Sequence, residues 1–274
     1  MQKSLLNHFV RAIVGSLTAA LILVLVCMAL LRWLPPPTTA FMLQSQVKPV
    51  RYTWVPLARI SQFAGLAVIA SEDQKFRLHH GFDVEAMQKA YEQNQKNHHR
   101  KRGASTISQQ TAKNLFLWPE GGYARKAVEA ALTSLMELMW SKDRILEMYL
   151  NIAEFGPGIY GVEAASRAYF SKSAANLSPD EAARLAAVLP NPRQWNAKNP
   201  GPYVQRRANW VMGQMGYGSR SSPVEEPDMP TLPTLDVTPS PASASDIAPT
   251  VDQAPMAEPS ASPPVTPDTP SAQN

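Results

Sequence analysis

At 274 residues the chain is long enough for one or two domains, and its net charge of +4 conceals an uneven split. Residues 1–218 hold 25 Lys and Arg against 14 Asp and Glu, a net of +11, whereas beyond them Arg220 stands alone against eight acids. A single cysteine, Cys27, excludes a disulfide framework, a cysteine-rich zinc site and a CxxC redox pair.

In chain order, Ala12 to Leu31 is an uncharged run of 20 residues dominated by Leu, Val, Ile and Ala. At the helical rise it spans about 30 Å, the thickness of a bilayer core. Arg32-Trp33 and Pro35-Pro36-Pro37 follow it without a small-x-small cleavage site, so the run predicts an uncleaved transmembrane anchor. Lys3 and Arg11 on one side are balanced by Arg32, Lys48 and Arg51 on the other, and charge counting alone leaves the orientation open.

Between Arg51 and Tyr217 the pattern predicts a mainly α-helical domain. Phe63 to Ala70 is an apolar helix that ends directly on Glu72 and Asp73. A carboxylate delivered by such a helix into a cleft is partly desolvated and suited to proton transfer; a solvated helix end gives the same pattern. The next polar stretch, Gly103 to Leu117, carries hydroxyls and amides where an amphipathic helix would have charges. Thr106, Gln110 and Lys113 fall at i, i+4 and i+7, which suits an anionic group at a helix start. Thr106-x-x-Gln109 also fits a capping box, and both readings stand together. In Arg125-Lys126-Ala127-Val128-Glu129 the two cations lie four and three residues from Glu129 and share a helical face with it, as an exposed surface cluster also would.

Lys126 to Trp140 continues as helix, Ser141 is positioned to cap another, and Arg144 to Phe155 reads as helical. Gly156-Pro157-Gly158-Ile159-Tyr160-Gly161 satisfies GxGxxG, but without a preceding strand it predicts a glycine turn between helices rather than a dinucleotide site. Ser178-Pro179-Asp180-Glu181 combines a capping hydroxyl, a proline at the first helical position and a carboxylate three residues on; Pro190 ends the helix. From Ser219 onward 13 prolines among Ser, Thr and Ala predict a disordered acidic tail. Two candidate catalytic carboxylates, Glu72 and Glu129, with the cations Lys113, Arg125 and Lys126 beside a membrane anchor, point to an enzyme acting on an anionic, sugar-containing substrate.

The order and spacing of these stretches resemble the peptidoglycan glycosyltransferase family. The match is carried by Glu72-Asp73-x-x-Phe76-x-x-His79-x-Gly81, Gly103-x-Ser105-Thr106-x-x-Gln109-Gln110-x-x-Lys113-Asn114, Arg125-Lys126-x-x-Glu129 and Lys142-x-x-Ile145-Leu146-Glu147-x-Tyr149-Leu150-Asn151. The resemblance implies a lysozyme-like helical domain over residues 47–217, behind a cytoplasmic segment 1–11 and an anchor 12–34, with the tail 219–274 after it. Because that tail leaves no room for a transpeptidase domain, the chain resembles the monofunctional form. The implied reaction joins lipid II into β-1,4-linked glycan with inversion. In it Glu72 is the general base, and Glu129 either positions a divalent metal, orients the cations or assists leaving-group protonation. Asp73, Phe76 and His79 would shape the pocket; Ser105, Thr106, Gln110 and Asn114 would bond sugar and phosphate oxygens; Lys113, Arg125 and Lys126 would meet the diphosphate. Such enzymes use a divalent cation such as Mg²⁺ or Mn²⁺ variably, and His79-His80 with His98-His99 lacks the spacing of a zinc site. The implied partners are lipid II, the growing glycan, membrane lipid and other proteins of cell-wall synthesis and division, with no nucleic acid. The implied location is the inner membrane with the domain periplasmic and an apolar surface beside the anchor. A glycan-cleaving enzyme on the same scaffold and a non-enzymatic scaffold protein are the alternatives.

Overall fold

The computed structural model describes residues 2–96, 103–119, 121–217 and 226–229, all within one compact unit, Met1–Thr231. His98-His99, Arg100-Lys101-Arg102 and the tail beyond residue 229 lie outside the described residues. The architecture is mainly helical, as the patterning predicts. Helix α1 (Gln2–Leu31) leads, and its stretch Asn7–Leu31 is long and apolar enough to cross a membrane, with mean hydropathy 2.7.

The C-terminal end of α1 is joined to the domain. Met28 is fully buried and its carbonyl accepts from the Trp140 indole Nε1 at 2.9 Å. The Arg144 guanidinium donates to the carbonyls of Leu31 and Leu34, each at 2.7 Å. Carbonyls that a helix end leaves unpaired are thus taken by a cation, the charge that end favours.

Two groups of helices form the core. One contains α3 (Gln62–Glu72), α9 (Pro179–Val188) and α10 (Pro202–Gln214); the other contains α5 (Ile107–Phe116), α6 (Tyr123–Met139) and α7 (Lys142–Ile152). They meet where α3 touches α7. Small buried residues let α3 and α9 approach closely: Ala64, Gly65 and Ala67 on one, Ala182, Ala183, Ala186 and Ala187 on the other. The short α2 (Ala40–Leu43) packs on α5, while the polar α4 (Val84–Lys96) has no buried residue.

The start signals act as their chemistry predicts. Ser178 and Glu181 form a capping box with Pro179 in the first turn, and the Ser141 hydroxyl accepts from the Arg144 N–H. Between α7 and α8 (Val162–Phe170) the structure departs from the helical expectation. Helix α7 stops at Ile152, and the chain forms β2 (Glu154–Gly156) and β3 (Ile159–Tyr160), paired antiparallel. Strand β3 pairs parallel with β1 (Arg51–Tyr52), a partner about a hundred residues away that no local period reveals. The glycine turn therefore joins two strands, not two helices. Its glycines answer to packing: a Cβ at Gly156 would fall 1.9 Å from the Tyr169 hydroxyl. At Gly161, where φ is +83°, it would fall 2.4 Å from the Asn151 carbonyl.

Candidate active site

Glu72 is the last residue of α3, delivered to the seam between the two helix groups. Its Oε2 accepts from Gln110 Nε2 at 3.0 Å; its Oε1 accepts from Ser71 Oγ at 3.3 Å and lies 3.6 Å from Arg207 Nη2. The Gln110 amide is itself oriented, because the Tyr149 hydroxyl donates to its Oε1 at 3.0 Å. With its oxygen taken, the amide can present only its NH₂ to Glu72. Burial pushes the Tyr149 phenol well above its usual range, and the Glu72 and Asp73 charges push it the same way, so it stays a donor. Both Glu72 oxygens thus accept hydrogen bonds. A cavity of about 410 Å³ opens beside it, bordered among others by Asp73, Asp83, Ser105, Trp210 and Glu226.

Of the first stretch, Asp73 borders this cavity, whereas Phe76 and His79 are not among its lining residues. Gly81 N–H donates to His79 Nδ1 at 3.2 Å, so the imidazole carries its proton on Nε2 and donates it to Asp73 Oδ1 at 2.9 Å. Asp73 Oδ2 accepts the Ile107 N–H at 3.0 Å, placing a carboxylate at the start of α5. Burial pushes the Asp73 carboxyl up, against His79, the Ile107 N–H and Lys142, which pull it down. Phe76 is fully buried, with Lys142 Nζ 4.7 Å from its ring centre. Of the two readings of Thr106, the structure shows the cap. Thr106 closes a capping box with Gln109, and its hydroxyl donates to the Gly81 carbonyl at 2.7 Å, tying the first stretch to the second.

Glu129, 1% exposed, is surrounded by cations. Arg125 Nη1 lies 2.8 Å from its Oε2, and Lys126 is ion-paired with its Oε1. Lys126 Nζ also reaches Ser105 Oγ at 3.4 Å. Burial pulls the Lys113 ammonium below the ordinary lysine range; Glu129 raises it, and Arg125 and Lys126 depress it further. Lys113 Nζ sits 5.4 Å from the centre of the Phe41 ring, and Asn114, next along α5, is buried. Three cations about one carboxylate leave a local excess of positive charge suited to a developing anion. Both Glu129 oxygens are committed to cations, and no three His, Cys, Asp or Glu side chains converge among the described residues. These donors do not fit a resident divalent cation.

The two halves are linked. Gln110 Nε2 bonds Glu72 and, at 3.3 Å, the Ser105 carbonyl, and Ser105 Oγ contacts Lys126. Sequence reasoning passed over Tyr149, quoted only as part of a motif, and Arg207, which reads with Arg206 as a surface basic pair although it is buried.

Residues 40–216 match the family described as Transglycosylase. The chain belongs to that family. Proteins called biosynthetic peptidoglycan transglycosylase are similar to it over most of its length. The one from Aeromonas hydrophila is 51% identical over 222 residues, covering 79% of this chain and 94% of that protein. The one from Pasteurella multocida is 50% identical, covering 78% and 90%, and the one from Haemophilus influenzae is 53% identical, covering 68% and 79%. The transglycosylase domain is lysozyme-like, which accounts for two helix groups with a carboxylate at their seam.

Proposed function

We propose that this transglycosylase is a peptidoglycan glycosyltransferase that polymerises lipid II into β-1,4-linked glycan and releases polyprenyl diphosphate. The observation that carries the reading is the connected line from Glu72 through Gln110 and Ser105 to Lys126 and its companion cations. A base stands at one end, beside the cavity, and a diphosphate site at the other.

Glu72 takes the proton of the acceptor 4-hydroxyl as that oxygen attacks the anomeric carbon of the donor. The bond from that carbon to the diphosphate oxygen breaks on the opposite face, and its electron pair leaves with the diphosphate. An α-linked donor therefore gives a β-linked product. Lys113, Arg125 and Lys126 stabilise the departing charge. Glu129 orients two of those cations, one ion-paired at each of its oxygens. Ser105 and Asn114 complete the wall that bonds sugar and phosphate oxygens, and Thr106, whose hydroxyl is already given to Gly81 and the cap, holds that wall in shape.

In this reading α1 crosses the cytoplasmic membrane with the N-terminal residues inside and the domain outside. Exposed Trp33, Leu34, Leu43, Val47 and Trp118 support contact with lipid around the end of α1. The Leu43 and Trp118 segments adjoin, because Gln44 Nε2 donates to the Leu117 carbonyl at 3.3 Å.

The test is incubation of the detergent-solubilised full chain with labelled lipid II, with products separated by size. Wild type is expected to make long glycan, and Glu72→Gln to lower the rate by at least ~10²-fold, the contribution of a positioned base. A wild type that ignores lipid II but shortens preformed glycan overturns the polymerase reading in favour of hydrolysis.

A further inference from the structure

Arg207 belongs to none of the four stretches that carry the resemblance, yet it is 3% exposed and beside Glu72. From α10 its Nη2 donates to the Ser71 carbonyl at 3.3 Å and to Ser71 Oγ at 3.1 Å, and lies 3.6 Å from Glu72 Oε1. Its Nη1 is ion-paired to Glu226, a residue that follows the domain, borders the cavity and keeps 38% of its side chain exposed. Its Nε is buried without a hydrogen-bond partner among the described residues. One guanidinium is therefore divided between the carboxylate at the cleft and a carboxylate of the C-terminal segment.

We infer that Arg207 and Glu226 are positioning residues for the base, Arg207 holding Glu72 in place and in its carboxylate form, and Glu226 drawing on the same guanidinium so that the C-terminal segment sets how strong a base Glu72 is. This rests on the reading of Glu72 as the general base.

An opposite charge within about 4–6 Å favours the ionised carboxylate, and a like charge opposes it. Glu226 acts twice in one direction, by competing for Arg207 and by adding negative charge to the cavity wall. Other charged or titratable groups around Glu72 are Asp73 beside it, Lys113 on α5, Tyr149 on α7 and Tyr203 on α10, with Lys75, Asp83, Glu85 and Lys89 on the cavity wall. Helix α9 brings the Ala186 carbonyl to Ser71 Oγ at 3.4 Å. All of these stay in place when Glu226 alone is changed.

The experiment measures kcat/KM for lipid II polymerisation across pH, using the full chain in detergent with Glu226→Gln, Arg207→Gln, Arg207→Lys and Glu72→Gln. Glu226→Gln is expected to move the acid limb down by about 0.5 pH unit and Arg207→Gln to move it up by about one, while Arg207→Lys brings it back towards wild type. Acid limbs that stay put in both Glu226→Gln and Arg207→Gln overturn the inference, because an arginine that only braces α10 lowers activity without moving the limb. Should Arg207→Gln fail to fold, the partly exposed Glu226→Gln decides alone, and an unmoved limb overturns the inference. Glu72→Gln keeps the two readings separable. Polymerisation that persists in it sinks the base assignment, whereas its loss together with unmoved limbs sinks only the roles of Arg207 and Glu226.

Discussion

Lys113 holds its charge against the greatest local opposition in the site, being buried and placed near two other cations, with Glu129 as its main electrostatic support. Its pKa is depressed, so the ammonium is present at low pH and is lost as pH rises through a value below the ~10.4 of a free lysine. The proposed diphosphate site should therefore lose activity on the alkaline side earlier than an ordinary lysine would require. Lys113→Arg, which stays protonated, is expected to move the alkaline limb of kcat upward while lowering the maximum, because the planar fork does not reproduce a point charge. A limb unmoved in that variant assigns it to another group. Glu72 and Glu129 show why residue type alone underdetermines role. Glu72 ends an apolar helix and Glu129 lies within α6; the first faces a cavity with Gln110, Ser71 and Arg207 on its flanks, and the second is enclosed by cations.

Helix α5 depends on its first turn. Thr106 supplies the cap, and its hydroxyl also satisfies the Gly81 carbonyl, so Thr106→Ala removes a cap and strands an acceptor. The loss should be about 2 kcal/mol, with a fall in Tm of roughly 4–8 °C for a domain of this size; Thr106→Ser should retain most of the stability. Calorimetry of the three proteins checks this, and equal melting of Thr106→Ala and wild type would remove the cap from the account. Elements of this kind were legible in advance, because a hydroxyl followed three residues later by Gln or Glu is a local instruction; Ser178 follows the same logic, and Ser141 caps its helix with the hydroxyl alone. The β2–β3 hairpin was not, since its stability depends on pairing with Arg51-Tyr52, and the run into Phe155 keeps a helical period up to the last turn. Arg207 escaped for a related reason. Nothing adjacent to it in the chain distinguishes a buried guanidinium from a solvated one, and its partners lie on α3 and beyond the domain. Phe76 and His79 carry the spacing of the first motif, and the structure shows the one buried and the other bonded to Asp73.

At the scale of the molecule, α1 and the domain are fastened by Trp140 and Arg144, and Arg144 is held in turn by Glu147 at 2.5 Å and by the face of Trp54. Asn151 and Glu147 on the same helix pin the backbone of Val55 and Leu57, so the fourth motif works as a brace between anchor, N-terminal strand and core. Arg144→Lys keeps the charge but loses the fork that spans the Leu31 and Leu34 carbonyls. It should lower activity several-fold on lipid II in vesicles and much less in detergent micelles, where the height of the cleft above a bilayer has no meaning. An equal loss in both media would show that the fastening serves stability alone. On the proposed reading, with α1 spanning a bilayer and lipid II as substrate, the bonds at Met28, Leu31 and Leu34 hold the cleft at one depth, and its donor and acceptor arrive by sideways diffusion within that layer. The quantity that governs turnover is then molecules per unit area: inert lipid added to the vesicles slows the reaction, and adding buffer around them leaves it unchanged.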